Sequence, residues 1–273
     1  MRITRRTLHI LLFVSSAVLF PTADFAAMHR DTFAAGVELR VLSANGMRQV
    51  MLDLAPKFEH ATGHRLNISI DSGGLIVKRV EGGETADVVM INRVGIERLT
   101  EMGKVVRGSV TDLAASGVGV AVRRGAPKPD ISSPEAFRRA MLAAKSIACT
   151  DPAIGGSSGV HIAKVFERLG ISEEVRPKLV LVRTPQQAKT MPGDMVAAGK
   201  AEIALHQMQE LMAVPGIDIV GPLPGALQER FVFSAAIMTQ ANDVEAAQAF
   251  IEFLRTPEAR AVIKEKGMEP IIP

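Results

Sequence analysis

The residues with most chemical potential lie between Thr150 and Gly170, in the stretch TDPAIGGSSGVHIAKVFERLG. The apolar run Ser146-Ile147-Ala148-Cys149 before the turn reads as a short buried strand. Ile162, Val165, Phe166 and Leu169 after it recur at helical spacing. The glycine- and serine-rich turn between them places main-chain N–H groups and small hydroxyls at a helix start, where the positive end of the dipole faces outward. The chemistry that fits is anion binding. The same residues also fit an ordinary strand-to-helix loop capped by Ser157 or Ser158.

Other chemistries find little support. Cys149 is the only cysteine, so no internal disulfide forms, and its apolar strand marks it as a core residue rather than a nucleophile. His161 is the nearest histidine in sequence but sits on the following helix. No Cys/His cluster has zinc spacing, and neither a metal nor a cofactor is implied. No G-x-G-x-x-G follows the first strand, since Gly117-Val118-Gly119 lies inside a strand, and no Gly-Lys-Ser/Thr ends a glycine-rich turn. Trp and Tyr are absent and the net charge is only +3, which argues against nucleic acid as a partner.

The elements that must position the turn form two successive alternations. The first runs strand 38–42, helix 47–60 stopped by Gly63, strand 65–70, a Ser72-Gly73-Gly74 turn, helix 75–81, strand 86–91 and helix 94–102. A strand at 117–123 then meets the stiff loop Gly125-Ala126-Pro127-Lys128-Pro129-Asp130, and Pro134 opens a helix to 144. The second alternation is strand 146–150, helix 158–169, strand 178–183, a helix within 194–199 that Pro192-Gly193 interrupts, and strand 202–206. A short strand at 218–220, a long one at 231–239 and helices 243–255 and 257–266 finish the chain. Two such sets predict an α/β protein of two lobes, each a mainly parallel sheet flanked by helices, with the ligand in the cleft between them. The expected division is residues 37–120 plus 231–273 against 121–230. With 47% hydrophobic and 22% charged residues, 273 residues suffice for both cores.

The amino terminus reads as an address. Arg2, Arg5 and Arg6 precede an apolar run over 10–20 that is short for a bilayer span, followed by Pro21 and then Ala23, Ala26 and Ala27. This is the pattern of a signal peptide over 1–27, with Arg5-Arg6 hinting at the twin-arginine route. An uncleaved anchor is the alternative. No cysteine follows the run, so a lipid anchor is not expected. Export to a periplasm is.

In order, VLSANGM, SGGLIVKRVEGGETADVVMI, GVGVAVRRGAPKPD, DPAIGGSSG and FIEFLRTPEARAVIKEKG resemble the class II periplasmic solute-binding proteins, most closely the molybdate-binding branch. The resemblance covers nearly everything after the leader. It implies a monomeric protein that captures a small oxyanion or carboxylate in the interlobe cleft and hands it to an ABC importer. It places ligand contacts on Ser43, Asn45 and Gly46, on Ser72, Gly73 and Gly74, and on Gly156, Ser157, Ser158 and Gly159. Further contributions fall near Lys189 and His206-Gln207. Arg48, Lys78 and Arg93 stand near these loops as sources of charge. Three departures set the chain apart. Gly46 stands where molybdate binders carry serine, the second loop has glycines where they are serine-rich, and the tyrosine expected near the cleft is missing. A site poor in hydroxyls and rich in N–H groups points towards carboxylates or another anion.

The same hinge and GGSSG motifs are similar to the periplasmic aconitate isomerases built on this scaffold. That resemblance implies an alternative activity, moving a double bond in a tricarboxylate, which needs an acid/base pair and donors for an enolate-like charge. His161, His206 and Glu210 are the candidates for the pair. Each also has an ordinary reading as a helix-face or solvated side chain.

Overall fold

The computed structural model describes residues 36–183 and 190–271. The expected leader and Lys189 lie outside them. The strands are β1 Glu38–Ala44, β2 Arg65–Asp71, β3 Val88–Asn92, β4 Thr111–Ser116, β5 Val118–Arg123, β6 Ile147–Thr150, β7 Leu179–Val182, β8 Ile203–Gln207, β9 Ile217–Pro222, β10 Phe231–Ile237 and β11 Glu269–Pro270. The helices are α1 Arg48–Thr62, α2 Gly73–Glu81, α3 Arg93–Glu101, α4 Pro134–Ala143, α5 Ser157–Arg168, α6 Ser172–Val175, α7 Pro192–Ala197, α8 Met208–Met212, α9 Val244–Phe253 and α10 Pro257–Glu265.

Two sheets result. One has the order β11-β4-β10-β3-β1-β2 and the other β7-β6-β8-β5-β9. In the first, β1 lies parallel to β2 and β3; in the second, β6 lies parallel to β7 and β8. The expectation of mainly parallel sheets holds for these βαβ sets only. β10 runs antiparallel to β3 and β4, and β5 antiparallel to β8 and β9, so both sheets are mixed. Apart from the terminal β11, which pairs antiparallel with β4, the antiparallel strands include those that carry the chain between the lobes, and a crossing chain enters the second sheet without the helical crossover that parallel pairing requires.

The local rules explain most boundaries. Gly63 closes α1 at φ 75°, a conformation glycine adopts without penalty. Ser133, Asp243 and Thr256 cap α4, α9 and α10 by accepting main-chain N–H bonds. Pro192 does not interrupt its helix but opens it, at the first turn of α7, where a missing N–H is harmless. β4 escaped the sequence reading because its alanine-rich TDLAAS carries neither β-branched alternation nor aromatic residues. Val88, Val89, Met90 and Ile91 of β3 are fully buried, as a central strand covered on both faces requires. The Phe58 and Phe250 rings meet at 5.0 Å and tie α1 to the C-terminal α9.

Two crossings join the lobes, at Gly117 between β4 and β5 and along 223–230 between β9 and β10. Gln228 braces both. Its side chain accepts from Val118 N at 2.9 Å and donates to Val118 O at 2.8 Å. A Cβ on Gly117 would sit 2.7 Å from that amide, so a side chain there would displace the Gln228 brace.

Candidate functional site

In both sheets the parallel strands end at the same place. β1, β2 and β3 of one lobe and β6 and β8 of the other present their C-terminal ends to a common cavity, and each is followed directly by a helical turn. Crevices at strand C-termini are where α/β sheets bind ligands. The cavity is small, about 30 Å³. Pockets for drug-sized ligands run to roughly 300–1,000 Å³, so this one suits a guest of few atoms or one group of a larger guest.

Helix starts supply the electrostatics. Ser72 caps α2 by accepting from Leu75 N, and Ile76 N is the first amide to bond back along the helix, to Ser72 O. The amides of Gly73 and Gly74 precede it and have no intrahelical acceptor. In α5 the first such bond is Val160 N to Gly156 O, which leaves the amides of Ser157, Ser158 and Gly159 likewise without one. Two helices from different lobes thus direct their positive ends at one space.

The structure brings Asn45, Gly46, Ser72, Gly73, Gly156, Ser157, Ser158, Gln207, His206 and Glu210 to this cavity. The other sequence candidates lie elsewhere. Ser43 is fully buried within β1, its hydroxyl near Ala44 O. Gly74 packs against Gly155 across the cleft, where an added Cβ would lie 2.7 Å from the Gly155 Cα. Gly159 packs on β6, where a Cβ would meet Thr150 O at 2.4 Å.

None of the three cations expected to supply charge reaches the cavity. Arg48 donates to Asn45 Oδ1 at 2.9 Å and lines a larger neighbouring cleft of about 530 Å³. Arg93 turns to Asp112 at 2.7 Å and Glu97 at 3.2 Å, and the Asp112 hydrogen bond raises its already high pKa. Lys78 lies exposed beyond the first turn of α2. His161 is no acid/base candidate in this cavity either. Its Nε2 donates to Leu227 O at 2.7 Å and its Nδ1 meets Glu229 at 2.6 Å, so it clamps α5 to the second crossing. Cys149 is buried, and burial followed by the Asp151 charge pushes its thiol up to about 12, which leaves it inert.

Sequence reasoning missed Thr150, Asn92, Met191 and Phe233 among the lining residues. Thr150 Oγ1 is the notable one, buried and without a hydrogen-bond partner. Its signal was a hydroxyl residue ending a parallel strand, hidden by the apolar run before it. Asn92 ends β3 in the same way. It caps α3 through Gly95 N and donates across the cleft to Ser157 Oγ at 2.9 Å. Met191 and Phe233 carried no chemical signal.

One chain of side chains stands out in the second lobe. Ser158 Oγ lies 2.9 Å from His206 Nδ1, and His206 Nε2 lies 3.0 Å from Glu210 Oε2, all three buried. An ionised Glu210 can only accept, so Nε2 carries the hydrogen, and in the neutral ring Nδ1 accepts from the Ser158 hydroxyl. Such a chain can hold or pass a proton at the cavity wall. Further bonds hold the lobes together around it: Ser72 Oγ donates to Ile154 O at 3.0 Å, and Gln209 Nε2 donates to Gly46 O at 3.1 Å. Gly46 itself touches Phe233 and Gln207, and a serine Cβ there would lie 2.5 Å from the Phe233 ring. Among the described residues no cluster of His, Cys, Asp and Glu has the arrangement of a metal site, and no helix is long and apolar enough to cross a membrane.

Comparison with known proteins gives the family and the fold. The sequence profile of the family described as bacterial extracellular solute-binding protein matches residues 39–269. An aconitate isomerase from Pseudomonas sp. is 35% identical over 239 residues, covering 85% of this chain and 88% of that protein. The molybdate-binding protein ModA of Azotobacter vinelandii is 30% identical over 241 residues, covering 86% of this chain and 90% of that one. The solved structure of a periplasmic molybdate-binding protein from Azotobacter vinelandii superposes with a TM-score of 0.70 at 23% identity, over 86% of this chain and 99% of that one, a likeness of fold.

Proposed function

The chain belongs to the bacterial extracellular solute-binding protein family, and from that premise we propose that it captures a small anion, an oxyanion or a small carboxylate, in the cavity between its lobes. The observation that carries this reading is the meeting of the α2 and α5 starts, one from each lobe, on one space of about 30 Å³. Main-chain amides at helix starts bind anions without a cationic side chain. Asn45, Ser157 and Gln207 add side-chain contacts. The expected leader directs the protein to the periplasm, and the bound anion passes to an ABC importer. Thermal-shift screening with molybdate, tungstate, sulfate, phosphate and di- and tricarboxylates tests the reading, because a ligand that binds only the folded chain raises its apparent stability. At least one of them is expected to raise Tm in proportion to the logarithm of its concentration. A flat response to all would contradict the reading.

The Ser158–His206–Glu210 chain favours a second reading, an isomerase acting on a tricarboxylate such as aconitate. In it the C–H bond α to a carboxylate breaks. The electron pair enters an enolate-like system facing the helix-start amides, the proton passes to the chain, and it returns at the far carbon as the double bond moves. Interconversion of cis- and trans-aconitate by the purified protein, lost in His206→Ala, is the outcome this reading expects. A rate equal to the buffer blank excludes it.

A further inference from the structure

Glu210 is an unexpected neighbour for an anion. Its carboxylate lines the small cavity and is 9% exposed. Oε2 accepts from His206, while Oε1 accepts no hydrogen bond from any described residue. No Lys or Arg among the described residues lines the cavity to offset it; Arg48 borders the wider cleft that Glu210 also reaches, and it donates to Asn45 Oδ1. A fully deprotonated guest would therefore set its charge beside a carboxylate that no cation in the cavity offsets. The donors show what the cavity offers instead. Of its hydroxyls, Ser72 gives its hydrogen to Ile154 O, Ser158 pairs with His206 and Ser157 accepts from Asn92, whereas Thr150 Oγ1 is buried without a partner. A buried polar atom with no partner in the protein calls for one from elsewhere.

Building on the anion-cavity reading, we propose that the site selects an anion carrying a hydrogen that Glu210 can accept, a proton- or hydroxyl-bearing oxyanion or carboxylate, over a fully deprotonated guest of the same size. Glu210 Oε1 takes that hydrogen, and the Thr150 hydroxyl with the helix-start amides faces the negative oxygens. His206 and the first turn of α8 fix the carboxylate in place. A guest without the hydrogen leaves the carboxylate unpaired beside a like charge, and an unpaired buried polar group discriminates steeply between otherwise similar ligands.

Two size-matched pairs test this by calorimetry on the purified protein at neutral pH. Hydrogen phosphate against sulfate probes the oxyanion source of the hydrogen, and citrate against tricarballylate, which lacks the hydroxyl, probes the carboxylate source. In at least one pair the hydrogen-bearing member is expected to bind about tenfold or more tightly. Glu210→Gln, whose amide donates as well as accepts, should bring that ratio to within about twofold, while Glu210→Asp, which keeps an acceptor, should preserve the preference. Circular dichroism checks that both variants fold, and the wild-type ratio stands as a test by itself. Equal or tighter binding of the hydrogen-free members, or a ratio unmoved in Glu210→Gln, overturns the selection and leaves the anion site intact. No binding of these four probes or of molybdate overturns both.

Discussion

The two walls of the cleft are built from different chemistry. The wall on the six-stranded sheet offers glycine amides, Asn45, Asn92 and the Phe233 ring, and no ionisable side chain among its described lining residues. The wall on the five-stranded sheet brings Thr150, Ser157, Ser158, His206 and Glu210. One wall is a neutral cradle of dipoles, and the other holds the groups that can give, take or store a proton. Close approach matters most on the first, because dipoles act over short range, and residue identity matters most on the second. The glycines follow from that division. Gly74 stands where the lobes touch and Gly46 between the Phe233 ring of its own wall and Gln207 of the other, so a hydroxymethyl group at either would press on its neighbours. What the sequence presents as missing serines is room for this close packing.

The comparison breaks most visibly at the touching glycines. Gly74→Val puts a branched side chain against the Gly155 backbone, a contact neither side can yield cheaply, so anion affinity measured by calorimetry should fall about 100-fold. An affinity within about twofold of wild type would mean that the lobes need not meet there. On the other wall, Thr150→Val removes a buried hydroxyl that has no partner in the protein and keeps its shape. Chemical denaturation should show unchanged or higher stability while anion affinity drops about tenfold. Affinity and stability falling together would mark Thr150 as structural.

The two histidines sharpen the contrast. His161→Gln disrupts bonds to Leu227 and Glu229 and should cost about 1–3 kcal/mol of stability with affinity unchanged, whereas His206→Gln should alter anion affinity first. The reverse pattern would exchange their roles. The smallest effect is expected outside the cavity lining, at the Arg79–Glu84 pair, where Nε and Nη2 meet the carboxylate at 2.6 and 2.7 Å. The hydrogen bond from Arg79 holds the Glu84 carboxyl below its ordinary value of 4.5. That contribution is fully present above about pH 4.5 and is lost as pH falls through the lower, folded-state value. Glu84→Gln should therefore melt slightly earlier than wild type at neutral pH, with the gap closing in acid and anion affinity unaffected. A gap that widens in acid would contradict the assignment.

Much of the architecture was legible because periodicity and caps are local. The β-α-β run from β1 to α3, the Gly63 stop and the Ser133-Pro134 start follow from spacing and from single residues. The direction of strand pairing was not legible, since whether β10 joins its sheet parallel or antiparallel depends on where the chain re-enters. At the site, the loops could be read but their contents only in part. Ser157 and Ser158 open α5 after a turn with a visible signature, whereas His206 and Gln207 end β8 and were reached through the family resemblance. Thr150 and Asn92 each end an apolar strand, and only the convergence of several strand ends gives them a role. The cations Arg48 and Arg93 misled for a complementary reason. Nearness in sequence to a loop does not set side-chain direction, and each found a local partner in Asn45 or Asp112.

A basic surface elsewhere offers a rival location for an anion. A cavity of about 280 Å³ beside the first is bordered by Arg93, Lys164 and Arg230. Co-crystallisation with arsenate, located by its anomalous scattering, decides between the two. The account predicts one arsenate between the starts of α2 and α5, within hydrogen-bond distance of Thr150 Oγ1 and Glu210 Oε1. Arsenate held only by Arg93, Lys164 or Arg230, with the small cavity empty of it, would contradict the account.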